Sequence, residues 1–405
     1  MKRIIFLNRY FFPDHSATSQ ILSDLAFHLA GRGHDVQVIT SQQRYDDPGT
    51  RLPKMATING VRVHRLPTTR FGRSALLGRG FDYLSFYAAM GRCIGAQSNR
   101  GDILVAKTDP PLLCLLAMRA ARRHSLHLVN WLQDLYPEVA LELHVPFFRG
   151  PLGRGLSRLR DRSLLAAKAN VAVGTRMANM IRARGIAPER VHVIPNWCDD
   201  EEIRPISSAD NPLRREWGLE DRFVIGYSGN LGRGHEFETV LAAAERLRDH
   251  PRIVFLCIGG GHKFDEFARH VGERQLSRVF RFIPYQDRAA LKYSLTVPDV
   301  HWISLRPELE GLIVPSKFYG IAAAGRPVIA ITAKNGEIAD LVREYDCGCV
   351  IEPGDAGALA DVLTRLSTDA AGVAAMGARA RTMLDRHFSR AQALQTWCSL
   401  LDRIE

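Results

Sequence analysis

The residues KRIIFLN at 2–8 and VQVI at 36–39 mark the two ends of the stretch that determines the fold class. The first run is short and apolar, which is typical of a buried parallel strand. Apolar residues then recur at helical spacing between 21 and 29, and Gly31 and Gly33 predict the end of that helix. The run at 36–39 predicts a second strand. A strand, a helix and another strand within about forty residues predict one βαβ unit.

The same alternation of strand and helix patterns runs through the rest of the chain. Further strand patterns lie at 61–66, 103–106, 126–131, 170–173, 191–194, 223–227, 253–258, 279–282, 300–304, 327–331 and 349–351. Helical patterns lie between many of them, at 112–121, 175–184, 237–248, 265–271, 317–324, 338–345 and 356–366. We therefore predict an α/β protein with two Rossmann-like, doubly wound parallel sheets.

The chain divides into two halves of similar size. Residues 199–212 are rich in acids, serine and proline and lack periodicity, which predicts a linker. This linker separates an N-terminal domain at 1–198 from a C-terminal domain at 213–385. The final stretch, 386–405, has a helical pattern, and we expect it to pack back onto the N-terminal domain.

Composition and charge narrow the range of partners. The 405 residues carry a net charge of +11, and 46% of them are hydrophobic, which is typical of a globular protein. A basic surface attracts phosphorylated ligands or an anionic membrane face, and no motif for nucleic-acid binding accompanies it. The longest apolar run, at 112–118, is far too short to span a bilayer, so we expect a cytoplasmic chain. The cysteines form no CxxC pair, so we expect neither a disulfide framework nor a zinc site.

Ligand-binding residues in such sheets are expected in the loops that follow the strands. The most informative loop reads YSGNLGRGH at 227–235, where glycines let the backbone approach a ligand and Arg233 supplies a fork-shaped cation suited to a diphosphate. The alternative is a glycine-rich connection with a solvated arginine. The loop GGGHK at 259–263 is a weaker candidate, since an ordinary turn and helix start explain it more simply.

A third loop, ELEGLIVPSK at 308–317, opens the predicted helix at 317–324. Pro315 suits the start of a helix, and Ser316 suits the N-cap. Lys317 lies at the positive end of that helix, which is unfavourable unless an anion binds there. The loop therefore predicts a site for an anionic ligand.

Together these motifs resemble those of the family 4 glycosyltransferases of GT-B fold, in the branch that builds bacterial surface polysaccharides such as colanic acid and O-antigen. The resemblance covers nearly the whole chain. It rests on FFPD at 11–14, GRGHDVQV at 31–38, WLQDLYPE at 131–138, VIPN at 193–196, YSGNLGR at 227–233 and GLIVPSK at 311–317. It implies two domains that face each other across a cleft, with the sugar donor bound by the C-terminal domain and the acceptor by the N-terminal domain.

The resemblance implies a retaining transfer from a nucleoside-diphosphate sugar, without a metal ion or another cofactor. Arg233 and Lys317 are expected to neutralise the departing diphosphate, and the segment 282–285 matches the loop that holds the base through its backbone. The sequence also has no Asp-x-Asp motif for a donor-bound divalent ion. The expected donor-binding residues are Gly229, Asn230, Gly232, Phe282, Pro284, Tyr285, Glu310, Gly311, Leu312, Ile313, Val314, Ser316 and Gly320.

Two departures from the family pattern bear on nucleotide recognition. The family's second glutamate, which bonds the ribose hydroxyls, falls at Gly320, and its first falls at Leu312. The usual N-terminal Gly-Gly pair is replaced by Ser16 and Ala17. Because of these departures, the sequence does not indicate which nucleotide the donor carries. The departures also fit an alternative, in which the chain is a non-catalytic partner of a true transferase.

On the acceptor side, the resemblance points to the pair Gln133 and Asp134. Asp134 would orient or deprotonate the acceptor hydroxyl. The alternative is that Asp134 caps the turn before Pro137. Further candidates for contact with the acceptor or the sugar are His15, Ser16 and Glu308. The alternative for His15 and Glu308 is an ordinary loop.

The acceptor that the family implies is a saccharide on an isoprenoid lipid. Residues 149–168 carry six basic residues and one acid, and on a helix Arg154, Arg158 and Arg162 would share one face, with leucines roughly opposite. A second basic and apolar stretch lies at 70–81. We expect peripheral contact with the anionic cytoplasmic face of the inner membrane. The alternatives are a leucine stripe that faces the core, and an enzyme that acts on a soluble small-molecule acceptor.

Overall fold

The computed structural model describes residues 2–14, 16–44, 50–69 and 76–404. It divides into two units, one formed by Met1–Pro195 with Ala393–Glu405 and the other by Asn196–Gln392. The division lies three residues before the predicted boundary at 198, and the stretch 199–212 belongs to the second unit. No helix in these ranges is both long and apolar enough to span a bilayer.

The first unit contains an eight-stranded sheet. Its strands are β1 Ile4–Leu7, β2 Val36–Ser41, β3 Met55–Ile58, β4 Val61–Leu66, β5 Ile103–Ala106, β6 His127–Leu132, β7 Ala169–Ala172 and β8 Val191–Val193. Its first helices are α1 Ala17–Gly31, α2 Leu76–Gln97, α3 Leu113–His124, α4 Glu138–Glu142, α5 Pro151–Ala166 and α6 Thr175–Arg182. The strand order is β3-β4-β2-β1-β5-β6-β7-β8, and all neighbours are parallel except β3 and β4.

The second unit contains a six-stranded parallel sheet. Its strands are β9 Phe223–Asn230, β10 Ile253–Gly260, β11 Phe280–Ile283, β12 Val300–Ser304, β13 Val328–Ile331 and β14 Gly348–Ile351, in the order β11-β10-β9-β12-β13-β14. Its helices are α7 Pro212–Glu216, α8 Glu238–Arg246, α9 Phe264–Glu273, α10 Leu291–Thr296, α11 Lys317–Ala323, α12 Glu337–Glu344, α13 Ala356–Leu366 and α14 Ala370–Met383. A π-helical turn at Leu384–Phe388 leads into α15 Arg390–Asp402.

Burial on both faces explains why the central strands are continuous apolar runs. All four residues of β1 are at most 2% exposed, since helices cover both faces of a doubly wound sheet. Most of α15 belongs to the first unit, where Trp397 is fully buried and its ring centroid lies 4.5 Å from that of Trp131. The last helix therefore contributes to the core of the first unit.

α2 and β3 are among the elements of the first unit that have no counterpart among the predicted ones. α2 contains Gly91 and Gly95, which weaken the helical pattern in the sequence. A Cβ on these glycines would lie 3.3 Å from Leu116 and 3.2 Å from His124, so glycine lets α2 approach α3 closely. β3 is an antiparallel strand with alternating exposed and half-buried residues, and it carries no apolar run to reveal it.

Candidate active site

The glycine-rich loops of the second unit are partly extensions of two neighbouring strands. β9 and β10 run beyond the predicted ends to Asn230 and Gly260, with Gly229 paired to Gly259. Both glycines have positive φ, +120° and +136°, and a Cβ on Gly259 would lie 2.3 Å from the carbonyl oxygen of Gly229. Only glycine fits here, so the two strands present bare backbone at their carboxyl ends.

Lys317 reaches this backbone from the start of α11. Its Nζ donates to the carbonyl oxygen of Asn230 at 3.0 Å and lies 3.4 Å from His235 Nε2. A Cβ on Gly229 would lie 2.9 Å from Lys317 Cε, so the lysine chain crosses the glycine. The structure thus brings Lys317 together with Gly229 and Asn230 at the end of β9 and with His235 in the loop that follows.

The surroundings of Lys317 are electrostatically unusual. Burial lowers the pKa of Lys317 to about 8. No carboxylate among the described residues pairs with its ammonium group, and its polar neighbours are the carbonyl of Asn230 and the ring of His235. An ammonium group in such a place is favourable when an anion binds beside it.

His235 is a neutral neighbour of this ammonium group. Its Nδ1 lies 2.7 Å from the carbonyl oxygen of Ser304, which can only accept, so Nδ1 carries the proton and Nε2 faces Lys317 as an acceptor. Burial, with the positive charge of Lys317, lowers the pKa of His235 to about 3. Tyr227 adds a ring 5.3 Å from Lys317 Nζ and donates its hydroxyl to Asn230 O. His235 is a functional candidate that the sequence prediction missed, although it ends the quoted loop.

Arg233 lies in the same loop and is exposed. It makes no hydrogen bond or ion pair with any residue that the structure describes, so its guanidinium is free to meet a ligand. Asn230 is also exposed and Gly232 is half-buried. A Cβ on Gly232 would lie 3.5 Å from Asn230 Nδ2, which is an ordinary contact.

Glu310 has partners that the sequence prediction did not include. Its Oε1 accepts from the Thr332 hydroxyl, and its Oε2 accepts from the backbone N–H of Glu337 at 3.2 Å. The carboxylate therefore lies at the N-terminus of α12, where the helix dipole favours a negative charge. A Cβ on Gly336 would lie 2.3 Å from Glu310 Oε1, so Gly336 makes room for it. Glu310 has a structural role here.

We predict that Glu310→Ala lowers the free energy of unfolding by about 1–3 kcal/mol, because the Thr332 hydroxyl and the Glu337 N–H lose their partner. Urea unfolding of the purified chain measures this. Glu308→Ala is the matched control, because Glu308 is exposed and forms only a long ion pair, 3.7 Å, with Arg306. This substitution should change the free energy of unfolding by no more than about 0.5 kcal/mol. Equal losses from both variants would contradict the structural role of Glu310.

The rest of the loop before α11 places its residues as follows. Gly311 has φ +76°, Leu312 and Val314 are each 4% exposed, and Ile313 is half-buried. Ser316 occupies the N-cap position of α11, but its hydroxyl makes no capping bond. The apolar side chains anchor the loop in the core, so mainly its backbone is left to face a ligand.

Gly320, where the family pattern has glutamate, lies in the middle of α11 and is half-buried. A Cβ there would lie 3.7 Å from Leu295 Cδ1, an ordinary van der Waals contact. The backbone does not require glycine at this position, so the departure removes a side chain without being forced by packing.

The segment 282–285 begins with a residue packed against the core and ends with exposed residues. Phe282 packs edge-on against Phe264 and Phe267, with ring centroids 5.6 and 5.8 Å away. Pro284 and Tyr285 are exposed, and a Cβ on Gly260 would lie 3.0 Å from the Tyr285 ring. The segment therefore offers exposed backbone beside the carboxyl end of β10.

In the first unit, Asp134 follows β6 and lies near a buried lysine. Lys107 is 1% exposed; its Nζ donates to Thr18 O at 3.1 Å and lies 3.6 Å above the Trp131 ring. Burial raises the pKa of Asp134 to about 6, and the negative charge of Asp109 acts in the same direction while Lys107 opposes it. Burial lowers the pKa of Lys107 to about 7. A carboxyl group that titrates near neutrality is suited to general base catalysis.

Asp134 does not cap the turn before Pro137, which was the alternative role for this residue. α4 begins at Glu138 with Pro137 at its N-cap, and no side chain caps it. The backbone N–H groups of Gln133 and Asp134 donate to Thr108 Oγ1 at 3.2 and 3.3 Å, which fixes the turn after β6. Lys107, the charged neighbour of Asp134, was missed by the sequence analysis, where it is one lysine after an apolar run.

The other acceptor-side candidates are placed as follows. Ser16 lies before α1, its N–H donates to Asp14 Oδ1 at 2.8 Å, and its hydroxyl is buried without a partner. Gln133 is 8% exposed, and its Nε2 likewise has no partner among the residues described. His15 lies outside the described residues. Among the residues that are described, no group of three or more His, Cys, Asp or Glu side chains is placed to hold a metal ion.

Comparisons with known proteins place both units in one family. Residues 17–197 match the model of the glycosyl transferase 4-like domain, and residues 210–383 match that of the glycosyl transferases of group 1. The chain is 25% identical to the probable glycosyltransferase WbjE of Pseudomonas aeruginosa, over 82% of each chain. It is 27% identical to the putative colanic acid biosynthesis glycosyl transferase WcaI of Escherichia coli, over 86% of this chain and 88% of WcaI.

The fold is shared with solved structures. The structure of HepE from Anabaena in complex with UDP superposes with a TM-score of 0.71 at 16% identity, covering 99% of this chain and 100% of HepE. Together the two family models span most of the sequence, and the α/β architecture of both units agrees with them. The chain therefore belongs to the family 4 glycosyltransferases of GT-B fold.

Proposed function

We propose that this glycosyltransferase moves a sugar from a nucleoside-diphosphate sugar to a lipid-linked saccharide, with retention of configuration and without a metal ion. The observation that carries the donor assignment is Lys317, whose ammonium group lies beside the bare backbone of β9 and pairs with no carboxylate of the described residues. A diphosphate supplies the missing negative charge. UDP in the HepE structure supports the ligand class.

The electrostatic demand of the reaction is on the leaving group. As the bond between the sugar and the diphosphate breaks, negative charge grows on the diphosphate oxygens. The cationic side chains of Lys317 and the exposed Arg233 would stabilise that negative charge. Preorganised groups lower a barrier most when they lie where charge develops in the transition state. Because two side chains supply this charge, we propose that transfer needs no divalent ion.

On the acceptor side, Asp134 is proposed to orient and deprotonate the attacking hydroxyl. Asp134 is half-buried and its carboxylate has no hydrogen-bond partner within the described ranges, and burial raises the pKa of Asp134 to about 6. It is therefore ionised at neutral pH and is still basic enough to share a proton. The name of WcaI supports bacterial polysaccharide biosynthesis as the process.

The transfer assay tests this function directly. The purified chain alone, incubated with nucleotide-sugar donors and a lipid extract, should release nucleoside diphosphate and attach labelled sugar to material that partitions into organic solvent. Label confined to the aqueous phase would contradict the lipid-linked acceptor. No release from any donor would contradict the donor assignment.

The surface of α5 supports peripheral attachment to a membrane. Of the three leucines in the predicted stripe, Leu152 and Leu159 are 47% and 39% exposed and Leu156 is half-buried, so they do not form the core-facing stripe that was the alternative. Leu165 is a further exposed leucine on this helix. Arg154, Arg158 and Arg162 are exposed on the same helix. The buried face is formed instead by Gly153, Arg160, Ser163 and Leu164. Exposed leucines beside arginines fit an anionic bilayer surface.

One residue of the predicted basic cluster is not part of this surface. Arg160 is 1% exposed and lies 2.5 Å from Glu138 Oε1 and 2.8 Å from Asp161 Oδ1. Its charge is neutralised inside the unit because these carboxylates face it. The other candidate stretch, at 70–81, begins with residues 70–75, which lie outside the described residues. Phe81 in α2 is 58% exposed.

We predict that the chain floats with vesicles of phosphatidylcholine and phosphatidylglycerol at physiological salt. The double variant Leu152→Ser and Leu159→Ser should bind these vesicles at least about tenfold more weakly, because it removes the apolar contact. Met55→Ser, at a 70% exposed apolar residue of β3, is the matched control and should float like the wild type. If the wild type stays in the dense fraction, the proposed attachment is wrong.

A further inference from the structure

Arg9 lies at the point where the strand order in the sheet of the first unit reverses. β1 and β5 are neighbours, and β2 and β6 continue the sheet on opposite sides of them. Ligands of doubly wound sheets bind beyond the carboxyl ends of the strands at such a point. Arg9 is the second residue after β1 and is 6% exposed.

The guanidinium of Arg9 has no anionic partner among the residues that the structure describes. Its Nη2 donates to Gln43 Oε1 at 3.3 Å, and the rings of Tyr83 and Tyr10 lie 4.9 and 5.4 Å from it. Its buried Nε has no partner in the described ranges, which is also true of Nε in Arg65 and Arg214. Nowhere in the described part of the chain does a carboxylate pair with Arg9. A buried charge in this state is unfavourable until a counter-ion binds.

Other buried arginines of the protein are better compensated. Arg160 lies 2.5 Å from Glu138, and Arg214 lies 3.0 Å from Asp299. Arg65 has no carboxylate, but it donates to two backbone carbonyls, at 3.3 and 2.9 Å. Arg9 has a single long bond to a neutral amide, which folding alone does not explain.

Unpaired polar atoms accompany Arg9 at this end of the sheet. Gln133 Nε2 follows β6, and the hydroxyl groups of Ser16 and Ser19 lie at the start of α1. All three atoms are buried and have no hydrogen-bond partner within the described part of the chain. Native proteins rarely leave buried polar atoms unpaired, so these atoms are available to hydrogen-bond a ligand or water. Lys107, after β5, adds a second basic side chain to the same edge.

We propose that the first unit binds an anionic group of the sugar acceptor, a phosphate or a carboxylate, and that Arg9 is its main binding residue. The planar fork of a guanidinium pairs with either group through two parallel hydrogen bonds. The assignment of the anion to the acceptor rests on the proposed function. The existence of an anion site at Arg9 does not.

The test measures the binding of sodium pyrophosphate and of glucuronate to the full chain at constant ionic strength. The double variant Arg233→Ala and Lys317→Ala serves as the reference, because it lacks the cations of the second unit. At least one anion should raise the unfolding temperature of this reference. Adding Arg9→Gln should weaken that binding about tenfold or more, and adding Arg119→Gln, at an exposed arginine of α3, should not.

A second readout separates a binding residue from a structural one. Without any anion, Arg9→Gln should unfold at the same temperature as the reference or higher, because it removes an uncompensated buried charge. A lower temperature in the absence of anions, or unchanged anion affinity in Arg9→Gln, would overturn the proposal. Preference for pyrophosphate indicates the phosphate of a lipid carrier, and preference for glucuronate indicates an acidic sugar. A chain that binds the anion through Arg9 and yet transfers no sugar contradicts the proposed function and leaves this site intact.

Discussion

Replacing Lys317 with alanine is expected to reduce sugar transfer about a hundredfold while the fold persists, because one preorganised donor to the leaving group is lost. The variant removes an ammonium group that has no carboxylate partner among the described residues, so the free protein loses no ion pair. Steady-state kinetics measures kcat/KM for the donor, and thermal unfolding checks the fold. Arg233→Ala, at an exposed residue, should cost at least tenfold.

The pH dependence identifies the ammonium group as the cause. Burial lowers the pKa of Lys317 to about 8, so the free enzyme loses this charge as the pH rises above that value. Wild-type kcat/KM for the donor should therefore fall above about pH 8. Lys317→Arg keeps its charge and should not show this fall. A wild-type rate in Lys317→Ala would refute the assigned role.

The second large effect is expected at Asp134. Asp134→Asn should reduce kcat about a hundredfold or more, since a carboxylate that accepts the proton of the acceptor is replaced by an amide. Burial raises the pKa of Asp134 to about 6, so wild-type transfer should fall as the pH drops below that value. The remaining activity of the variant should not show that acidic fall. Unchanged kcat in Asp134→Asn would contradict the role of a base.

The same shift makes an independent prediction about stability. The pKa of Asp134 is higher in the folded chain than its ordinary value of 3.8, so the folded chain binds the extra proton between about pH 4 and 6. The site therefore disfavours folding once the pH rises through this range. Asp134→Asn should unfold at the same temperature as the wild type or higher at pH 7. A clear loss of stability at that pH would indicate a structural role.

The sequence was sufficient to predict a strand or helix wherever that element carries its own apolar pattern. β5, β12 and α13 have the predicted limits, because their burial follows directly from their residues. α2 depends on glycines that fit against α3, and β3 depends on pairing with β4, so neither is visible in local periodicity. Contacts distant in sequence decide these elements.

In the candidate site, too, local patterns predict some features, and contacts distant in sequence decide the others. The position of Lys317 at the start of α11 follows from Pro315 and the apolar helix after it. Its contact with His235 depends on two loops from neighbouring strands, β9 and β12, and no local pattern predicts that pairing. The burial of Arg160 likewise depends on Glu138, 22 residues away, so a count of basic residues could not separate it from the exposed arginines.

The most direct measurement is thermal unfolding of the wild type and of Lys317→Ala with UDP, GDP, TDP and CMP. The charges at the carboxyl end of β9 predict that at least one nucleoside diphosphate stabilises the wild type, and that Lys317→Ala loses most of this stabilisation. No shift with any nucleotide, or an equal shift in both proteins, would contradict a diphosphate site at Lys317.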